Sequence, residues 1–263
     1  MKYGMPNLVE CASLEECAEL ARELSLDFIE INMSFPEYCS SMINIGNLNK
    51  IAKEYGVFYT IHADEALNPF DFNPIVSECY FQVMRDTLRI ARKIDAKVIN
   101  MHLQKGIYVT LTDRVILLTD IYRERYLECV KRFIKLAEEE IGGTNIRICI
   151  ENVDSNEFTE AQIAALGLFM QSDCFALTLD TGHAHKLKYC DSHIFDKYED
   201  KVMHMHLHDC VGAAPHAALG YGDVDIMNSL GKLRGDTCLI EVKTVNGLRD
   251  SVEYLKKQEI YYD

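Results

Sequence analysis

Eight short apolar runs recur along the chain, near residues 4–9, 27–33, 57–63, 97–103, 147–153, 175–180, 202–208 and 238–243, and a helix-like segment follows each. This alternation leaves few ways to pack, because parallel strands need long crossovers and helices supply them while covering the sheet. Eight such units, with no GxGxxG nucleotide loop after any strand, predict a closed (β/α)8 barrel rather than an open doubly wound sheet. A length of 263 residues at 48% hydrophobic suits one such unit, so residues 1–263 are expected to form a single domain.

Several helix starts are written locally. Ser13 with Glu16 reads as a capping box before EECAELAREL, Asn73–Pro74 as a cap followed by a first-turn proline, and Thr159 with Gln162 as a second box. The stretches 64–73, 104–118 and 209–223 follow strands, and in a barrel they lie on the face where active sites are built.

The chemistry is concentrated at the strand ends. VFYTIHA ends at His62, KVINMHL at His102, ICIENVD at Glu151, LTLDTGH at Asp180 and His183, MHMHLHD at His206, and CLIEVK at Glu241. One histidine at a strand end is usually structural. Six ends carrying acids or imidazoles are not explained by packing, since buried charges must be paired or coordinated. They point to a divalent metal; zinc and manganese suit a mixed imidazole and carboxylate set, and magnesium takes fewer histidines.

Side chains two apart on a strand share a face, which puts His204, His206 and His208 on one side. His206 is expected to ligate and His204 to be a core histidine. His208 is expected to contact substrate or support a ligand, and Asp209 to orient a neighbouring one. Glu30 and Asn32 share a face near the end of strand 2 and are read as substrate contacts, with simple capping as the plain alternative.

Other features exclude function classes. A net charge of −14 opposes broad phosphate binding, so duplex DNA is not the expected partner and a small-molecule substrate is. No run approaches the roughly 18 apolar residues of a membrane span, and the N-terminal segment lacks a signal-peptide core, so a cytoplasmic location is expected. The ten cysteines contain no CxxC and read as reduced, mostly buried thiols. Arg85, Arg89 and Arg92, at helical spacing, read as a solvated face. Homo-oligomerisation is left open.

HADE at His62, NMH at His102, IEN at Glu151, DTGH at Asp180 and His183, MHLHD at His206, PHAALGYG at His216 and IEV at Glu241 together resemble the xylose isomerase-like TIM barrel superfamily. This superfamily (AP endonuclease family 2) includes sugar isomerases, epimerases and endonuclease IV. The epimerase branch implies one metal (manganese, magnesium, cobalt or zinc) on Glu151, Asp180, His206 and Glu241, with Glu151 and Glu241 as acid and base. The endonuclease IV branch implies three zinc ions on nine ligands, eight of them matched by His62, His102, Glu151, Asp180, His183, His206, His216 and Glu241. The ninth, an aspartate two residues before His216, is Ala214 here, which questions the third ion and leaves two in place.

No arginine occurs between Arg147 and Arg234, whereas some sugar epimerases of this group carry one after the metal histidine. The resulting expectation is a zinc-dependent hydrolase of a small phosphodiester holding two or three ions, with Lys243, Lys105 or Lys186 near the phosphate. Sugar isomerisation or epimerisation at one metal is the alternative, and a non-catalytic metal- or sugar-binding barrel a third reading.

Overall fold

The computed structural model describes residues 1–153 and 157–258. Eight parallel strands close into a barrel: β1 Lys2–Pro6, β2 Phe28–Asn32, β3 Phe58–His62, β4 Val98–His102, β5 Arg147–Glu151, β6 Phe175–Asp180, β7 Val202–Leu207 and β8 Thr237–Ile240. Each strand pairs with its sequence neighbour, and β1 pairs with β8 to close the ring. All eight expected runs are strands, the first lying a little upstream of its expected place. The long helices are α1 Leu14–Glu23, α2 Ile45–Tyr55, α3 Pro74–Ile94, α4 Arg123–Ile141, α5 Glu160–Phe169 and α6 Val245–Lys257. Among the described residues no helix is long and apolar enough to cross a membrane.

The caps form with one change. Thr159 and Gln162 make the reciprocal box, and Asn73 accepts the Ile75 N–H with Pro74 in the first turn. Ser13 accepts the Glu16 N–H, but the Glu16 carboxylate reaches one residue further back, to the Ala12 N–H at 2.8 Å. The arginine stripe of α3 is not a free solvated face. Arg85 and Arg89 both bind the Glu140 carboxylate, and Arg92 binds the Glu140 carbonyl, tying α3 to α4. All ten cysteines are free thiols.

Between barrel and helices, Phe70, Phe81, Phe133, Phe169 and Phe175 form a run of stacked and edge-to-face rings. Inside the barrel, alternate residues climb in tiers. Gly4 admits the Phe28 ring, which lies 2.4 Å from where a Cβ would sit, and Phe28 stacks on Phe58 at 5.2 Å. Glu30, Thr60, Asn100, Thr178 and His204 form a buried polar tier above this floor. The register then sets His102 beside Glu151 and Asp180 beside His206 at the C-terminal rim.

The loop after β4 carries a small hairpin, Tyr108–Thr110 with Val115–Leu117, and the loop after β7 carries another, Asp209–Val211 with Ala214–Ala217. Asp209 organises the second loop: its carboxylate accepts the N–H groups of Cys210, Gly220, Gly222 and Val224 at 2.9–3.0 Å. It therefore holds the loop, in place of the expected role of orienting a neighbouring ligand.

Candidate metal centre

Glu151, Asp180, His206 and Glu241 end four consecutive strands and bring one ligand atom each within 4.8 Å of one another. His206 Nδ1 lies 3.2 Å from Glu151 Oε1, 3.0 Å from Glu241 Oε2 and 3.9 Å from Asp180 Oδ2. Both His206 nitrogens and Glu241 Oε2 are nevertheless buried without a hydrogen-bond partner. Orphaned polar atoms of this kind are costly and rare. Their spacing matches the edge of a tetrahedron with bonds of roughly 2.0–2.1 Å, about 3.3 Å, so the four residues fit a divalent ion by shape as well as by donor type.

Glu151 also faces a second group. Its Oε2 lies 2.9 Å from His102 Nε2 and 3.7 Å from His62 Nε2, and it accepts from the Asn100 carboxamide. His62 donates Nδ1–H to the Ala63 carbonyl at 2.8 Å, which leaves its Nε2 for the cluster. The two oxygens of one carboxylate thus serve two separate ligand groups, both able to hold an ion.

A third group, His183, His208 and His216, lies beyond Asp180. The fourth set lies beneath the rim. Glu30 places Oε1 3.1 Å from His206 Nε2 and Oε2 3.2 Å from His204 Nε2, and accepts from the Thr60 hydroxyl at 2.8 Å. His204 also meets the Thr237 hydroxyl at 2.8 Å, as expected of a satisfied core histidine.

Three residues expected near substrate lie elsewhere. Glu30 is 2% exposed and supports His206 from below, out of reach of the mouth. Asn32 caps the following turn through the Ser34 N–H and donates to Glu65, so its polar groups are spent on local structure. His208 is fully buried, its Nε2 3.0 Å from the Asp180 carboxylate. Lys243 is half-exposed at the rim, with Nζ 2.7 Å from Glu241 Oε1.

The electrostatics follow from burial and charge. Burial alone would lower the pKa of His206, but Glu151, Glu30 and Glu241 outweigh it and hold the imidazole well above its ordinary value. Burial would raise Glu151 and Glu241, yet His206 pulls both well below the usual carboxylate range, aided at Glu151 by His102. His62 is lowered, chiefly by burial. Burial also brings His216 down to about 4, while Asp180 overcomes burial to lift His208 to about 9.

Two supporting residues went unread in the sequence. Asn100 stands two residues before His102, a spacing that already put it on the inner face. Asn152 follows Glu151 and bonds both backbone groups of Asp180; nothing in the sequence marks that contact.

The family model for xylose isomerase-like TIM barrels matches residues 18–258. An uncharacterised protein of Methanocaldococcus jannaschii is 27% identical over 212 residues, 78% of either chain. Among solved structures, a D-tagatose 3-epimerase-like protein superposes with a TM-score of 0.78 at 24% identity, covering 99% of this chain and 98% of that one. A zinc-bound IolI protein superposes at 0.74 and 16% identity, covering 99% and 97%. Endonuclease IV from Thermus thermophilus superposes at 0.66 and 16% identity, covering 98% and 100%. Matched along most of its length by that family model, the chain belongs to the xylose isomerase-like TIM barrel family.

Proposed function

We propose that this chain is a metal-dependent hydrolase of a small phosphodiester, in which Glu151, Asp180, His206 and Glu241, with His62 and His102 alongside, would hold the divalent ions. The observation that carries the reading is Glu151, whose Oε1 faces His206 while Oε2 faces His102. Bound divalent ions supply positive charge for the phosphate oxygens and make water more acidic. The chain's own groups do the rest. Glu151, Asp180 and Glu241 would offset the charge of the ions, Asn100 fixes the Glu151 carboxylate by donating to its Oε2, and Lys243 offers a half-exposed ammonium at the rim. The net charge of −14 favours a small diester over a nucleic acid duplex.

A second reading, sugar epimerisation, is favoured by the completeness of the four-ligand group on its own and by the likeness to a D-tagatose 3-epimerase-like protein. It gives His62 and His102 no role as ligands.

Turnover of a bis(4-nitrophenyl) phosphate probe and of ketohexoses by the zinc-loaded protein separates the two. Diester hydrolysis is expected, lost in both His102→Ala and Glu241→Ala. Epimerisation that survives His102→Ala and vanishes in Glu241→Ala overturns the hydrolase reading.

A further inference from the structure

The loop after β4 exposes apolar side chains that its own barrel does not cover. Seven of the seventeen large apolar residues exposed among the described residues fall within positions 107–122, each 39–60% exposed, with Tyr108, Val109, Val115 and Tyr122 among them. At roughly 150–250 Å² for a large side chain, seven that are about half uncovered present on the order of 700 Å². That exceeds the roughly 300–600 Å² of the largest patch on a typical monomer and approaches the roughly 800 Å² that each partner gives to a standard interface.

The same stretch carries no unpaired charge. Its charged residues are Asp113 and Arg114, which pair with each other at 2.7 Å, and Asp120, whose carboxylate accepts the Ala161 N–H at 2.9 Å. The chain as a whole carries −14. A basic partner would seek the acidic surface and gain nothing from this patch, whereas a second copy, repelled by that surface, can approach only where charge is absent.

The backbone offers a matching edge. Leu118 N–H bonds the Ile107 carbonyl at 2.9 Å and Leu111 N–H bonds the Arg114 carbonyl at 2.8 Å, with Tyr108 opposite Leu117 and Thr110 opposite Val115. Bonded and non-bonded pairs alternate along an antiparallel ladder, so Val109 exchanges bonds with Ile116 while Tyr108 and Thr110 turn their N–H and C=O groups to the outer edge. All three residues of that strand are exposed, whereas Ile116 and Leu117 across from it are partly covered. An apolar edge left unpaired is a template for another strand, and a two-stranded hairpin uncovered on both faces is marginal in water.

We propose that two copies of this chain dimerise by pairing Tyr108–Thr110 antiparallel to itself, about a two-fold axis at Val109. In that register Tyr108 lies opposite the partner subunit's Thr110, both with outward backbone groups, and each such pair exchanges two hydrogen bonds. The two hairpins become one four-stranded sheet, and the flanking apolar side chains are covered. The inference rests on the hairpin alone and holds whichever reaction the barrel performs.

Sedimentation equilibrium on the full chain tests it. Twice the single-chain mass of 30.1 kDa is expected, with association strengthened by sodium chloride, because salt screens the repulsion between two acidic bodies. Val109→Glu and Val109→Lys each place like charges across the axis and should each sediment as single chains. An equimolar mixture of the two should recover the dimer through the Glu–Lys pair, which separates a lost contact from a damaged hairpin. Met227→Glu, which charges an exposed apolar residue outside the hairpin, should stay dimeric.

A single-chain mass for the unmutated protein overturns the proposal, and co-sedimentation of that single chain with phosphatidylcholine vesicles would assign the patch to a membrane instead. A dimer that survives both Val109 substitutions is built elsewhere, and one that dissociates in salt is held by charge; either outcome overturns pairing at this edge. So does a mixture of the two variants that stays at the single-chain mass.

Discussion

Asn152 grips Asp180 by both backbone groups: its carboxamide nitrogen donates to the Asp180 carbonyl and its carboxamide oxygen accepts the Asp180 N–H, each at 2.9 Å. The pair joins the ends of β5 and β6, so the ligand after one strand is held by the residue after its neighbour. Asn152→Ala leaves a buried N–H and a buried carbonyl unpaired, each worth about 1–3 kcal/mol. A loss of at least about 2 kcal/mol is expected in urea unfolding of the ion-free protein, with weaker zinc binding. Unchanged stability would mean that water replaces the carboxamide.

Glu30 acts on the centre from beneath. Its Oε1 stands 3.1 Å from His206 Nε2 and its charge raises the basicity of that ring; losing a carboxylate behind a metal-bound histidine typically costs roughly 10–100-fold in metal affinity. Glu30→Gln keeps the shape and the Thr60 contact while removing the charge. Zinc affinity, measured by competition with a chromophoric chelator, should fall by roughly that factor, and a loss below about threefold would assign Glu30 to packing alone.

Zinc binding should release protons. In the ion-free protein His206 has a pKa raised well above 6.5, so at neutral pH the ring is protonated, whereas coordination needs it neutral. Apparent affinity therefore rises with pH until the raised pKa is passed. The same shifts govern stability without the ion. The His206 contribution is fully present below pH 6.5 and lost as pH rises through its raised value, while those of Glu151 and Glu241 are present above pH 4.5 and lost as pH falls through their depressed values. The ion-free protein should be most stable between these limits. Calorimetry in buffers of different ionisation enthalpy reads the proton count directly, and a buffer-independent enthalpy would contradict it.

Gly182→Ala should disturb His208 and little else. The new methyl would meet the ring at 2.1–2.3 Å, so the imidazole must move, at a typical overpacking cost of about 1–3 kcal/mol. In a His208→Ala background the same change should cost far less. Equal costs in the two backgrounds would show that the strain lies in the backbone of the turn.

Much of this was legible in the chain. The βα rhythm carried the barrel because strand ends and helix caps are local signals. The strand-end acids and imidazoles marked the rim because parallel register brings such ends to one height. What escaped depended on distance across the barrel. Glu30 looked like a substrate contact because period two gives a face but not a depth, and only the barrel's closure sets it under His206. His208 read as either a substrate contact or a support, because only the packing of β7 against β6 puts its Nε2 3.0 Å from the Asp180 carboxylate. Arg85 and Arg89 looked solvated because Glu140, which they bind, belongs to the next helix.

Asp209 gives the loop after β7 an unusual kind of independence. With the four N–H groups of Cys210, Gly220, Gly222 and Val224 gathered on one carboxylate, the loop is riveted at its base. Its tip, around Gly212 and Ala213, is exposed and bears none of those bonds. Mutational drift or library design can therefore retailor the tip while the foundation stays put.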